Sequence, residues 1–174
     1  MKLFKRLMTA LLAAVLAAGM LAGCSGAPAA PNTPLPSDAE ALVLYQGVSE
    51  TCTRYNVKTP VYAAELEPIA QEIAEAAVIH RYYTTQPSAA VIDKAKTDVS
   101  ALADGAEYLV YDLNPYDAAA KTPLSVTSMK DKIIQKGANR MGIVIVTLTN
   151  ADTKEEVKYE CTVYARFPDA AAQE

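Results

Sequence analysis

The feature that most constrains the fold is a change in hydrophobic periodicity near Gly105. Before this residue, apolar side chains recur at spacings of three and four, which is typical of amphipathic helices. After it, apolar and polar residues alternate or form short Val- and Ile-rich runs, which is typical of strands. Helices followed by strands predict an α+β fold in which helices pack on an antiparallel sheet.

Seven elements are predicted from these patterns together with capping and turn residues. Asp38 is a good N-cap residue for the first helix, Gly105 ends the third helix, and Asn150 begins the turn of a final hairpin. The predicted elements are helices at 39–55, 62–82 and 87–103, a strand at 107–113, a short helix at 129–136, and strands at 141–149 and 157–167.

The N-terminus has the three parts of a secretory signal. Basic residues come first, an apolar run occupies 7–21, and the small residues Ala22 and Gly23 precede Cys24. The run is shorter than the roughly 20 residues that a membrane-spanning helix needs. The sequence from Leu21 to Cys24 resembles the lipobox of bacterial lipoproteins, which implies a diacylglycerol thioether on Cys24 and cleavage just before it. The alternatives are an ordinary signal peptide with a chance cysteine and an uncleaved anchor.

These features predict an exported protein that its lipid holds to a bacterial membrane, facing outside the cytoplasm. The predicted parts are a signal peptide at 1–23, the lipidated cysteine and a Pro-rich linker at 24–38, a single α+β domain at 39–168 and a tail at 169–174. The signal holds three of the 16 basic residues and none of the 20 acidic ones, so the remaining 151 residues carry a net charge of −7. This negative charge argues against nucleic acid as a partner.

Two cysteines remain besides Cys24. Cys52 lies on the apolar face of the first predicted helix, and Cys161 lies on the apolar side of the last predicted strand. A disulfide is permitted outside the cytoplasm, and closing such a long loop stabilises a fold by up to about 4 kcal/mol. We favour this bridge because both side chains are predicted to face one interior. The alternative is two separate buried thiols.

The sequence lacks the common motifs for catalysis and cofactor binding. It has one histidine, no Cys-x-x-Cys, no His-Glu-x-x-His, no phosphate-binding glycine loop and no Gly-x-Ser-x-Gly. His80 stands at the end of the second predicted helix, where we expect it to bind the last helix carbonyls rather than a metal. We therefore predict no cofactor and no metal site, and we assign no catalytic residue.

Tyrosine is the most frequent aromatic residue, with ten Tyr against two Phe and no Trp. Tyrosines that line a groove can stack on sugars or peptides. The alternative is that they lie at the rim of the core with their hydroxyls in water. Six residues are predicted to line a candidate groove: His80, Tyr82, Tyr83, Glu107, Tyr108 and Met129.

Three segments resemble the CAP superfamily, the SCP-like domain of cysteine-rich secretory proteins. They are a pair of helices at 42–55 and 64–70, the Gly-Ala-Glu of 105–107, and the helix, loop and strand from Met129 to Ile145. The resemblance implies a three-layer α-β-α fold with a small antiparallel sheet. It also implies a cavity that in this family holds two histidines and two acidic residues around a divalent metal.

The sequence departs from the family at that cavity. Met129 falls where one histidine is expected, His80 comes too early to replace the other, and Glu107 is the one matching acidic residue. A thioether and one carboxylate do not form a usual zinc site. The resemblance therefore implies a degenerate CAP-like domain that has lost its metal site.

Three functions fit the sequence. The first is a non-catalytic binding head on a lipid anchor, for a polysaccharide, a peptide, a lipid or a partner protein. The second is a divergent extracytoplasmic hydrolase with carboxylates from Glu107, Asp112 and Asp117, at the separations of about 5–9.5 Å that glycosidases use. The third is a structural component of a cell-envelope assembly. We favour the first because the sequence has no paired acid–base or nucleophile motif.

Overall fold

In a computed structural model, the described residues are 34–119 and 130–168. They form a mixed four-stranded sheet, a two-stranded antiparallel sheet and several helices, which confirms the predicted α+β class. The helices are α1 (Ala39–Arg54), α2 (Glu67–Glu75) and α3 (Ala89–Leu102), with a 3₁₀ turn at Ala64–Leu66 and a π-helical segment at Lys130–Gln135. The strands are β1 (Val61–Tyr62), β2 (Val78–Ile79), β3 (Thr84–Thr85), β4 (Glu107–Pro115), β5 (Arg140–Thr149) and β6 (Glu156–Arg166).

The main sheet has the strand order β1–β5–β6–β4. β5 and β6 form the predicted hairpin, with Val144 opposite Cys161, and β4 pairs antiparallel to β6 on its far side. In the hairpin turn, the side chain of Asn150 accepts hydrogen bonds from the backbone N–H groups of Asp152 and Thr153. The sequence pattern does not predict β1, which lies parallel to β5 and makes the sheet mixed rather than antiparallel.

Helices cover both faces of this sheet. α1 packs on the face that presents Ile143 and Tyr164, while α2 and α3 pack on the face that presents Val163. Apolar and polar residues alternate along β6, which is typical of a strand with one face in solvent. The polar residues Glu160 and Thr162 are nevertheless buried as well. β6 is therefore a central strand with protein on both sides.

Gly142 allows the segment before α2 to approach the sheet closely. A Cβ atom at Gly142 would lie 2.6 Å from the Cβ of Leu66 and 3.2 Å from the carbonyl oxygen of Ala63. Contacts this short would force the neighbouring chain to move. The glycine therefore places the 3₁₀ turn directly on β5, and α2 continues beside this strand.

The predicted helix at 62–82 is wrong at both ends. Tyr62 belongs to β1, and the helix begins only at Glu67. Pro68 explains this start, because proline lacks a backbone N–H and is tolerated only in the first turn of a helix. At the other end the helix stops at Glu75, and the chain goes on to form β2.

The other predicted elements lie close to their predicted positions. α1 ends one residue earlier than predicted, and its N-cap Asp38 accepts a hydrogen bond of 2.8 Å from the N–H of Ala41. The strand predicted at 107–113 continues to Pro115, and the helix predicted at 129–136 is the π-helical segment. The predicted signal peptide, most of the linker and the tail lie outside the described residues. Within the described ranges, no helix is long and apolar enough to cross a membrane.

Candidate functional site

The edge of β5 that faces away from β6 is paired at both ends and open between them. β1 pairs with this edge at Arg140 and Met141, and Ile79 forms a bridge to it at Asn150. Between these points, no strand of the described residues pairs with β5 on this side. The gap exists because the chain leaves the sheet after β1 to form α2 and returns only at β2.

Backbone groups of β5 point into this gap at alternate residues. The carbonyl oxygens of Asn139 and Met141 each accept a hydrogen bond of 2.9 Å from the β1 segment. This orientation repeats at every second residue of a strand, so Ile143, Ile145 and Thr147 present their N–H and C=O groups to the gap. The gap therefore offers the donors and acceptors that an additional strand needs.

The gap is the floor of a groove with a volume of 320 Å³. One wall is α2, which contributes Glu67, Gln71 and Glu75 at spacings of four residues. Asp38, the N-cap of α1, also lines the groove. Among the described residues that line it, three are acidic and none is basic. The groove thus combines an exposed strand backbone with negatively charged walls.

Tyr62 lies at the β1 end of this groove. Its buried hydroxyl contacts the carboxylate of Glu67 and lies 3.4 Å from the carbonyl oxygen of Ile143, so it can donate its proton to either. Burial raises the pKa of Tyr62, and the hydrogen bond to Glu67 raises it further. The Tyr62 ring packs edge-on against Tyr45 with ring centroids 5.5 Å apart. The hydroxyl is therefore a fixed, protonated donor beside the strand edge.

The two edges of the main sheet differ in how they are protected. β4 carries a β-bulge between Tyr108 and Val110 and ends at Pro115. Bulges and prolines discourage pairing with another chain. β5, in contrast, pairs with β6 without a register shift from Arg140 to Thr149. A regular edge of this kind suits recognition of an extended peptide by strand addition.

The structure does not bring the predicted aromatic groove together. Tyr82 and Tyr83 lie in the loop between β2 and β3, with side chains 85% and 64% exposed. Tyr108 lies in β4 and packs with the cluster that contains Cys161, on the face covered by α3. The residues are apart because α2 ends at Glu75, so Tyr82 and Tyr83 lie in a loop instead of on the predicted helix.

His80 lies in the same loop and not at a helix end. Its ring stacks on Tyr83 with centroids 4.6 Å apart, and its Nδ1 lies 3.4 Å from the carboxylate of Asp152. The backbone N–H of Arg81 donates to the same carboxylate at 3.2 Å. This N–H and His80 together lower the pKa of Asp152. The expected role of His80 at helix carbonyls is therefore wrong.

The three carboxylates considered for hydrolysis have separate partners. Glu107 forms an exposed ion pair with Arg166 on the neighbouring strand. Asp112 forms a largely buried ion pair with Lys132 of the π-helical segment. Asp117 accepts a hydrogen bond of 2.8 Å within its own turn. Each side chain is thus accounted for by a local structural contact.

Cys52 and Cys161 are fully buried, and within the described residues neither is bonded to another sulfur. Cys52 packs on the α1 side of the sheet and Cys161 on the α2 and α3 side, so the sheet separates them. The expectation that both face one interior is wrong, and the predicted bridge is not formed. Burial raises the pKa of both thiols, that of Cys161 to about 12. Cys24 and Met129 lie outside the described residues.

A second polar cluster is buried between β4 and β6 on the α1 side. Glu160 is only 5% exposed and lies 3.5 Å from the side-chain amide of Asn114. Burial raises the pKa of Glu160 to about 7. In the same part of the described chain, the hydroxyls of Thr162 and Tyr164 and one oxygen of Asp112 have no hydrogen-bond partner. Burying such groups costs free energy, and the raised pKa of Glu160 predicts that the stability of the fold depends on pH.

The acidic residues of the groove are spread along its length. Within the described ranges, no group of three His, Cys, Asp or Glu residues could hold a metal ion. No known protein family matches the chain, and neither a curated protein nor a solved structure matches it.

The sequence pattern alone does not identify the groove residues. The helix predicted at 62–82 would carry Glu67 and Glu75 on its polar side, where acidic residues normally face solvent. The available signal is Pro68, which marks the start of a helix and leaves the preceding residues free to form a strand. That α2 then lies beside an open strand edge follows only from long-range pairing.

Proposed function

We propose that the protein is an extracytoplasmic lipoprotein whose head binds an extended segment of a partner protein along the open edge of β5. The signal pattern and the lipobox-like sequence ending at Cys24 support the lipid anchor. More than one acyl chain is needed to hold a protein stably at a membrane, and a lipoprotein cysteine carries at least two. The Pro-rich segment from Ser25 to Pro36 would act as a spacer between the membrane and the head.

The binding role depends on one observation. Within the described residues, the backbone groups of Ile143, Ile145 and Thr147 face a groove instead of a paired strand. Unpaired edge groups recruit strands from other chains. Here α2 and the start of α1 border the edge, so we expect the groove to admit one extended chain rather than the edge of another sheet. The groove is thus suited to a peptide segment of a partner.

The groove also sets the length of the segment. The lining residues of β5 run from Ile143 to Thr147, which is about 13 Å at about 3.3 Å per residue. An extended segment of about five residues covers this distance. Main-chain hydrogen bonds supply affinity in such complexes, and contacts of alternate side chains supply specificity.

We further propose that the head is a divergent CAP-type domain. The helix and strand between Lys130 and Ile145, and the helices on both faces of the sheet, support this assignment. Met129 stands where that family has one of its metal-binding histidines. A head that binds a peptide has no need of that metal.

The anchor is tested in a bacterial host by metabolic labelling with radioactive palmitate. The wild-type chain is expected to incorporate label and to fractionate with membranes, and Cys24→Ser is expected to lose both properties. Cys52→Ser is the matched control, because Cys52 lies in the core and its replacement leaves the acylation site intact. Label that persists in Cys24→Ser contradicts the proposed anchor.

Binding at the edge is tested with a phage-displayed library of decapeptides selected on the detergent-solubilised full-length protein. Selected peptides are expected to lose binding to Thr147→Pro, because proline removes an N–H that faces the groove and not β6. Thr147→Val keeps this N–H and is expected to bind like the wild type, while circular dichroism checks that both variants are folded. Equal binding by a folded Thr147→Pro protein contradicts strand addition.

A further inference from the structure

This inference rests on the proposed function and adds the chemistry of the bound segment. We propose that the groove binds a cationic extended segment in which two basic side chains, four residues apart, face Glu67 and Glu75. A third basic side chain between them, pointing to the opposite side, pairs with Asp38.

The charge of the groove favours a cationic partner. Asp38, Glu67 and Glu75 line it, and among the described lining residues there is no basic side chain to balance them. Within the described ranges, the carboxylates do not form a group that could hold a metal ion. Their charge is spread along the groove, which suits a segment that carries several separate cations. The net charge of the chain after the predicted cleavage, −7, adds a longer-range attraction.

The two α2 carboxylates are available to such a partner. Glu67 accepts a hydrogen bond from the Tyr62 hydroxyl, and Glu75 accepts one of 2.7 Å from the amide of Gln71. Neither forms an ion pair with a basic side chain among the described residues. Glu72, which does not line the groove, instead pairs with Lys94 of α3 at 2.6 Å. The negative charge of Glu67 and Glu75 is therefore not balanced by a basic side chain of the described residues, whereas that of Glu72 is balanced by Lys94.

The spacing follows from the geometries of helix and strand. Glu67 and Glu75 are eight residues apart in α2, about 12 Å along the axis at about 1.5 Å per residue. In an extended chain, residues i and i+4 face the same side and lie about 13 Å apart. α2 runs beside the groove, because Glu67 is linked to Ile143 through Tyr62 and the chain returns to the sheet at Ile79. Side chains at i and i+4 therefore reach the two carboxylates.

The neutral Gln71 lies between the two carboxylates and is expected to meet residue i+2. Residues i+1 and i+3 point to the other side of the strand, towards the start of α1. Asp38 is the acidic residue that lines the groove there. The segment thus has two cations on one side and one on the other.

The probes are three blocked nonapeptides built from Thr and Ser, measured by calorimetry on the full-length protein in detergent. The first has Lys at positions 3 and 7, the second has Lys at positions 3 and 5, and the third has Glu at positions 3 and 7. The first is expected to bind about three- to tenfold more tightly than the second, because in the second one Lys meets the neutral Gln71 instead of Glu75. The third is expected to bind most weakly, and added salt is expected to reduce the differences.

Charge-neutral variants assign the effect to the groove. Glu67→Gln combined with Glu75→Gln is expected to remove the advantage of the first peptide. Glu65→Gln combined with Glu72→Gln is the matched control, since it makes the same charge change in the same segment outside the groove. The control is expected to keep the advantage. An advantage that survives in the groove variant overturns the inference.

Two outcomes separate this inference from the proposed function. If all three peptides bind equally and protect the β5 amides of Ile145 and Thr147 from hydrogen exchange, the charge requirement is wrong and strand addition stands. If those amides are fully protected before any peptide is added, a segment of this chain already occupies the edge, and both proposals are wrong.

Discussion

The buried hydroxyl of Tyr62 contacts the carboxylate of Glu67, and this contact joins β1 to the first turn of α2. The same hydroxyl lies 3.4 Å from the carbonyl oxygen of Ile143, at the first residue of the open strand edge. One wall of the groove and its floor are therefore connected through a single side chain. A peptide that binds the edge meets a site whose β1 end is already ordered.

Tyr62→Phe removes this connection without changing the ring. We expect the free energy of unfolding to fall by about 1 kcal/mol, since a buried hydrogen bond is lost, and urea denaturation measures this. Tyr82→Phe is the control, because that side chain is 85% exposed, and we expect it to change stability by less than about 0.5 kcal/mol. If Tyr62→Phe is as stable as the wild type, the hydroxyl does not hold the wall in place.

Glu160 predicts a pH dependence of stability. Burial raises its pKa from 4.5 to about 7, so the folded protein binds this proton more tightly than the unfolded chain does. The stabilisation is complete below about pH 4.5 and is lost as the pH rises towards 7. The free energy of unfolding is therefore expected to fall on the order of 3 kcal/mol across this interval from this group alone.

Urea denaturation at pH 4.5, 6 and 8 measures this fall. Glu160→Gln keeps the shape of the side chain but cannot titrate, so the fall is expected to shrink by most of that amount. Glu156→Gln, at an exposed position of the same strand, is expected to behave like the wild type. An unchanged pH profile in Glu160→Gln would show that another group is responsible.

Cys52 and Cys161 are expected to be free thiols in protein that is purified without a reducing agent. Both are fully buried on opposite faces of the sheet, and burial raises the pKa of both. A maleimide is therefore expected to label both only after unfolding, which mass spectrometry detects. A native mass lower by two hydrogens, with no labelling after unfolding, would show that the two cysteines form a disulfide.

Gly142→Ala tests the close approach of the 3₁₀ turn to β5. The added Cβ would lie 2.6 Å from the Cβ of Leu66, and we expect a loss of about 1–3 kcal/mol in the free energy of unfolding. Trimming Leu66 to Ala is not expected to restore the loss, because alanine keeps the Cβ atom in contact. A Gly142→Ala protein with wild-type stability would mean that α2 is free to move away from the strand.

The sequence predicts correctly those elements that have a long hydrophobic pattern and a capping or turn residue at one end. α1 follows the N-cap Asp38, and the β5–β6 hairpin forms around the turn residue Asn150. β1 and β2 have two residues each, which is too short for any periodicity to appear. The sequence pattern therefore predicts one long helix across them.

The groove and the buried cluster depend on pairing between distant residues. Among the described residues, the outer side of Thr147 is open because β1 stops at Tyr62 and the chain leaves the sheet. Glu160 is buried because α1 packs on this face of the sheet and β4 pairs beside β6. Neither property is visible in the local pattern, since the same alternation fits an exposed strand face. The charge of Glu67 is visible in the sequence, but its position beside a strand edge is not.

Hydrogen exchange of the β5 amides tests binding at the open edge most directly. The full-length protein is compared with and without a saturating amount of the nonapeptide that has Lys at positions 3 and 7. Strand addition predicts slower exchange at Ile145 and Thr147, with no change at the amides of β4, the other edge strand. Unchanged exchange at Ile145 and Thr147 in the presence of bound peptide would contradict binding at this edge.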